Sequence, residues 1–137
     1  MVRPIVTDIF SLNRKAEPAT EQDLSIVQDL IDTLEANAEG CVGLAANMIG
    51  FNKRIIVVDD NDTILPMLNP VIVKHSKEHY EAEEGCLSHS GTKKTLRYSS
   101  VYVEYLTPNF KPRRKTFSGF TAQIIQHEID HCEGIII

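Results

Sequence analysis

Leu24, Val27, Leu30, Ile31 and Leu34 recur at spacings of three and four, which predicts a helix with one apolar face. Thr20 and Asp23 form an approximate capping box that opens it, and Gly40 is placed to close it. That face should pack on a sheet. Residues 1–19 scatter Ile5, Val6, Ile9 and Leu12 between Pro4 and Pro18 and read as an irregular lead-in. Beyond the helix the pattern shortens to strand-like runs. Residues 54–59 (RIIVVD) are one strand, and 64–73 contain another whose pairing Pro66 and Pro70 should limit. Residues 80–84 are short and acidic and lead into Gly85-Cys86-Leu87-Ser88. Residues 99–106 alternate, with Val101, Val103 and Tyr105 on one side and Tyr102 and Glu104 on the other. Residues 113–117 are the expected hairpin partner across a Pro108-Asn109 turn. The last periodic run is Phe120, Ile124, His127 and His131, a helical stripe with Ser118 as N-cap and Gly134 as its stop. Strands precede that helix, so the expected class is α+β: mainly antiparallel sheets around a central C-terminal helix, with one amphipathic helix near the N-terminus, in a single domain over residues 1–137.

Composition changes this picture little. Hydrophobic content of 42% and charged content of 24% are ordinary for a globular chain, and the length allows a real core. A net charge of −5 argues against nucleic-acid phosphate as a direct partner, and the basic run at 111–115 reads as a solvated turn around Pro112. No apolar run approaches membrane-spanning length, and Asp8 interrupts any signal-peptide reading. Three scattered cysteines give no disulfide framework, so the expectation is a cytoplasmic protein with reduced thiols and no membrane partner.

The chemistry concentrates in residues 126–131, Gln-His-Glu-Ile-Asp-His. Residues four apart share a helix face, so His127 and His131 can direct two imidazoles at one ion. Glu128 lies about 100° round the helix, where it can reach a water on that ion. Paired histidines at this spacing are usually plain surface or core residues. A carboxylate directly after the first is far rarer by chance, and it supplies the base a metal hydrolase needs. Two histidines do not complete a coordination sphere. Candidates for the third ligand are His75, His79, His89, Cys41, Cys86 and many carboxylates. Cys86 is attractive, because Gly85 permits a tight backbone turn and a thiolate binds zinc or ferrous iron strongly. A lone cysteine is more often a small buried hydrophobe, the plain reading for Cys41 and Cys132 as well. Small residues crowd 40–50 (GCVGLAANMIG), so the backbone there should approach a neighbouring helix or a ligand closely. No Gly-Lys-Ser/Thr follows, which rejects a phosphate loop.

With these residues in view, the chain resembles the peptide deformylases, whose motifs run GxGxAAxQ, EGCxS and QHExDH. The first appears as Cys41-Val42-Gly43-Leu44-Ala45-Ala46-Asn47-Met48; the second is complete from Glu84 to Ser88, and the third from Gln126 to His131. The resemblance covers essentially the whole chain. It implies that Cys86, His127 and His131 hold one divalent metal, usually ferrous iron, with zinc or nickel as substitutes. It implies that Glu128 is the general base for water attacking the N-formyl group of formyl-methionyl peptides or nascent chains. Of the family's two oxyanion donors, one matches the backbone N–H of Leu87; the other is the motif's Gln side chain. Backbone at Val42, Gly43 and Gly85 would pair with an extended substrate, and Ile124 would help line the methionine pocket.

Four departures modify these expectations. Met48 stands at the Gln position and donates no hydrogen bond, a loss that typically costs about 10²–10³ in turnover. Cys41 replaces the first Gly, with Gly40 placed to take over its conformational role. His89 follows the second motif; it is three positions past Cys86 and so a possible stand-in donor, although a loop histidine is the plainer reading. Asn47 offers an amide but, in an extended segment, should point away from Met48. The chain ends at Ile137, which speaks against ribosome docking through the C-terminal helix common in the family. Gln126 and Asp130 flank the histidines and are placed to orient them, or are ordinary polar helix residues. The leading expectation is a deformylase; the alternative is a deformylase-like protein that binds metal and peptide without efficient turnover.

Overall fold

In the computed structural model the strands form two antiparallel sheets. The structure describes residues 1–137 apart from the side chain of His89, so the expectation of a stand-in donor there lies outside the described residues. The larger sheet has the order β1 (Gly43–Ala45), β2 (Ile55–Asp60), β3 (Thr63–His75), β6 (Ser100–Leu106), β7 (Pro112–Ser118). The smaller pairs β4 (His79–Cys86) with β5 (His89–Tyr98). The β2–β3 hairpin turns at Asn61 and Asp62, both left-handed (φ 51° and 72°), the combination that matches strand twist in a two-residue loop. The β6–β7 ladder matches the expected alternation: Val101, Val103 and Tyr105 are buried, while residues 111–115 of the basic run are exposed.

Pro66 and Pro70 do not confine β3 as expected. The strand passes through both, pairing with β2 as far as Leu68 and with β6 from Leu68 onward. The register breaks between Leu68 and Val71, where Asn69 has φ 51°. There its side-chain oxygen accepts from the Ala19 backbone N–H at 2.7 Å, and its amide donates to the Ala19 carbonyl at 3.1 Å, standing in for a strand neighbour. The acidic stretch before Cys86 is one arm of the β4–β5 hairpin rather than a short isolated strand. Its polar, lysine-rich partner β5 lacks the apolar alternation by which a strand is recognised.

Three helices complete the fold: α1 (Ile9–Leu12), α2 (Leu24–Ala36) and α3 (Gly119–Cys132). The single turn α1 interrupts what reads as an irregular lead-in; it is too short to show a period, yet it buries Leu12. The Thr20–Asp23 capping box is present, but it opens a 3-10 turn that continues into α2. α2 ends at Ala36 instead of near Gly40, because the Asn37 amide closes the helix on the Thr33 carbonyl. Its buried face is turned slightly from the expected stripe: Ile26 is inside and Leu24 is 40% exposed. α3 packs on β1 and β2 and touches β5 across from them, so it lies between the sheets. Ser118 occupies the N-cap position without donating or accepting a capping hydrogen bond, and Gly134 (φ 75°) terminates the helix as expected. Phe120 leaves the expected stripe at 61% exposure and lines the open cleft, while its neighbours Thr121 and Ala122 are buried, Thr121 donating to Asp60 of β2 at 3.0 Å.

Candidate metal centre

β4 delivers Cys86 at its end, and α3 delivers His127 and His131 one turn apart. Sγ of Cys86 lies 3.4 Å from Nε2 of His131, which lies 3.2 Å from Nε2 of His127. All three ligand atoms fall within 4.8 Å of one another. A tetrahedral ion with N and S ligands at about 2.0–2.3 Å has ligand separations of about 3.3–3.7 Å, so one ion fits this donor set. His75 and His79 are elsewhere: His75 stacks on Tyr98 at 3.7 Å and is exposed, as is His79. Cys41 lines the same cleft but stands outside the triad, its Sγ 3.1 Å from the Gly43 carbonyl.

A buried ion-pair chain fixes His127. Its Nδ1 lies 2.8 Å from Glu84 Oε1. A carboxylate accepts, so Nδ1 carries a hydrogen and Nε2 is the ring atom directed at Cys86 and His131. Arg97 grips Glu84 with both ends of its guanidinium, Nη2 to Oε1 at 2.6 Å and Nε to Oε2 at 2.9 Å, and reaches Asp130 Oδ2 at 2.7 Å with Nη1. Asp130 therefore reaches His127 only through Arg97 and Glu84. Gln126 bonds the Tyr98 backbone instead, accepting from its N–H at 2.8 Å and donating to its carbonyl at 2.9 Å, which clamps β5 to α3. Burial opposes charge on Glu84, yet hydrogen bonds from His127 and Arg97 hold its pKa down at about 2. Burial likewise opposes charge on His127, but its contacts with Cys86 and Glu84 and the field of Glu128 outweigh this and raise it to about 10. The centre thus favours positive charge, as a cation site must.

Glu128 is 4% exposed, and its Oε1 has no hydrogen-bond partner among the described residues. Burial raises its carboxyl to about 7 against the opposing pull of His127. A buried acceptor without a partner beside a ligand triad fits a water or ion held there. The Gly-rich segment approaches α3 as the sequence predicts: a Cβ on Gly43 would lie 2.7 Å from Ile124 Cγ2 and 2.9 Å from Glu128 Oε2. Gly40 does not take over a conformational role from Cys41. Its φ is not in the left-handed region, and an added Cβ would meet nothing within 4 Å. Gly85 also lacks a positive φ, so tight turning is not what places Cys86; a register break between the two does so.

These groups open on a cleft of about 420 Å³. Val42, Gly43, Met48, Gly85, Leu87, Ile124, Cys86, His127 and Glu128 all line it, while His131, the third member of the triad, is fully buried and does not. Met48 is 1% exposed, and its sulfur lies 3.5 Å from the Ala45 N–H. Asn47 departs from expectation because residues 46–49 form a 3-10 turn, not an extended segment. Its amide is committed to the His131 carbonyl at 2.8 Å, so it replaces no donor in the cleft. Sequence reasoning missed Arg97, whose neighbours in β5 give no sign of burial. It also left Glu84 unassigned inside a motif it had recognised.

Comparison with known proteins agrees with this geometry. The family model described as polypeptide deformylase matches residues 2–137. A peptide deformylase of Clostridium beijerinckii is 58% identical over 137 residues, covering 100% of both chains. One from Halothermothrix orenii is 42% identical over 131 residues, covering 91% of this chain and 83% of its own. Among solved structures, a class I type b peptide deformylase from Acinetobacter baumannii with Met-Ala-Ser bound superimposes with a TM-score of 0.90 at 30% identity, covering 99% of this chain and 97% of that one. A peptide deformylase from Thermotoga maritima gives a TM-score of 0.89 at 29% identity, with 99% and 94% covered. Nothing in these similarities supports a binding protein with poor turnover. By full-length sequence match and by fold, this chain belongs to the polypeptide deformylase family, metal-dependent hydrolases that remove N-formyl groups.

Proposed function

We propose that the cleft is the deformylation site and that this chain, working as one cytoplasmic domain, acts on formyl-methionyl peptides or nascent chains. The observation that carries the assignment is the Cys86, His127, His131 triad beside a buried Glu128 whose Oε1 lacks a partner. Cys86 Sγ and the two Nε2 atoms would hold one divalent ion; ferrous iron is the ion the family resemblance implies, with zinc or nickel, which the same thiolate and imidazoles also bind, as substitutes. When bound, the ion supplies Lewis acidity toward the attacking water and the formyl oxygen. Glu128 accepts the water's proton and returns it to the amine nitrogen as the formyl C–N bond breaks, giving formate and a free N-terminal methionine. The Leu87 backbone N–H donates to the formyl oxygen as charge builds on it. Val42, Gly43 and Gly85 offer backbone to an extended peptide, and Ile124 packs on the methionine side chain. The tripeptide held by the Acinetobacter baumannii relative supports that peptide assignment. Met48 contributes apolar contact and no donor.

The test is anaerobic formate release from formyl-Met-Ala-Ser by iron-loaded protein, with Glu128→Ala as control. Turnover far above the control is expected. Metal-replete protein no faster than Glu128→Ala would remove the assignment.

A further inference from the structure

One polar pair, with one member in the cleft, is used by nothing described so far. Gln123 lies on α3 four residues before His127, on the same face, and lines the cleft. Its Oε1 accepts from the Tyr80 hydroxyl at 2.9 Å, while no protein partner engages its Nε2 among the described residues. Tyr80 lies six positions before Cys86 on β4. The Tyr80–Gln123 hydrogen bond therefore joins β4 to α3 about one helical turn from His127, on the wall of the cleft that Gln123 lines. Because Tyr80 occupies the carbonyl end of the amide, the N–H end is left to donate.

Reach decides what this amide meets. Four residues of helix rise about 6 Å, so Gln123 stands about 6 Å up the cleft wall from His127. In a formyl-methionyl substrate with its formyl carbon at the triad, the thioether sulfur is five bonds farther on, also about 6 Å when extended. The two arrive at one level. Gln123 is not a replacement for the oxyanion donor that Met48 lacks: helix side chains lean toward the N-terminus, away from His127, and Tyr80 holds the amide there.

Resting on the deformylase reading, we infer that Gln123 is a specificity-determining residue that donates an N–H to the substrate's methionine sulfur, with Tyr80 as the positioning residue that orients the amide. The cleft then distinguishes methionine from norleucine, which is the same length but carries a methylene where the acceptor should be. Sulfur accepts weakly, so the preference is modest, on the order of 3- to 10-fold in kcat/KM.

The experiment measures kcat/KM for formyl-Met-Ala-Ser and formyl-norleucyl-Ala-Ser on metal-loaded wild type, Gln123→Leu, Gln123→Glu and Tyr80→Phe. The wild type should prefer methionine by that factor. Gln123→Leu should bring the ratio close to one. Gln123→Glu, which keeps shape but at neutral pH can only accept, should lose the preference as well. Tyr80→Phe should reduce it in part. A bond that only ties β4 to α3 would change both substrates equally and leave the ratio alone. A ratio unchanged in both Gln123 variants, or a wild-type ratio of one, overturns the inference while leaving the deformylase reading intact. Failure of the wild type to hydrolyse either peptide overturns both.

Discussion

Arg97→Met should be among the most damaging single substitutions outside the triad. Arg97 is 4% exposed and neutralises two carboxylates, Glu84 at 7% exposure and the less buried Asp130. Methionine fills similar volume but leaves Glu84 buried with only His127 as partner. Breaking one side of a buried ion pair costs about 3–5 kcal/mol, mostly as the uncompensated charge that remains. At about 2.1 cal/mol/K of unfolding entropy per residue, 137 residues lose ~10–17 °C of thermal midpoint for that cost. The assay is thermal unfolding followed by circular dichroism on metal-loaded protein at fixed concentration, with metal content measured in parallel. Glu84→Gln added to Arg97→Met removes the stranded charge while keeping an acceptor for His127, and should recover a large part of the loss. The pH dependence follows from Glu84, whose pKa is depressed from 4.5 to about 2. Its contribution is complete above the unfolded value and disappears as pH falls through the folded one, so the gap between wild type and Arg97→Met should narrow between pH 4.5 and 2. A midpoint shift below about 3 °C, or a double variant no more stable than the single, would show that the chain of ion pairs does not hold the site in the way argued.

Gly43→Ala places a methyl 2.7 Å from Ile124 Cγ2 and 2.9 Å from Glu128 Oε2; a loss of about 1–3 kcal/mol and a larger fall in kcat than in stability are expected from calorimetry and steady-state assays. Removing metal with a chelator should lower the thermal midpoint, since an ion present at ~1,000 times its Kd adds about 4 kcal/mol; an unchanged midpoint would argue against the triad as the binding site. Glu128 must be ionised to accept a proton, and burial sets its carboxyl at about 7 while a nearby cation pulls it down. The acid limb of kcat/KM should therefore lie between pH 4.5 and 7 and vanish with the residual activity of Glu128→Gln. Met48→Gln supplies a side-chain donor where none exists and should raise kcat by roughly 10- to 100-fold if the oxyanion is under-stabilised; equal turnover would mean the Leu87 N–H and the ion suffice.

How much of this was legible in the sequence follows from how each feature is encoded. The HExxH stripe, the alternation in β6 and the Thr20 capping box are local, and each is found where periodicity or spacing places it. The β4–β5 hairpin is not local in that sense: β5 carries lysine, arginine and threonine where a strand usually shows apolar alternation, and it is tied to α3 through Arg97 and the Tyr98 backbone. Asn47 shows the same limit at the scale of one residue, because whether it faces the cleft depends on a 3-10 turn that no pattern in residues 41–50 specifies. The centre itself divides along this line. The ligands and base proposed for it fall in recognisable motifs, whereas the group that orients His127 depends on Arg97, one cation among several in a polar strand. Only burial separates it from Lys93 and Lys94, and burial comes from the whole fold. A sequence therefore exposes the atoms that do chemistry more readily than the charges that hold them. Substitutions at Glu84, Arg97 and Asp130 are accordingly the ones that test whether this geometry, and not the motif alone, makes the site.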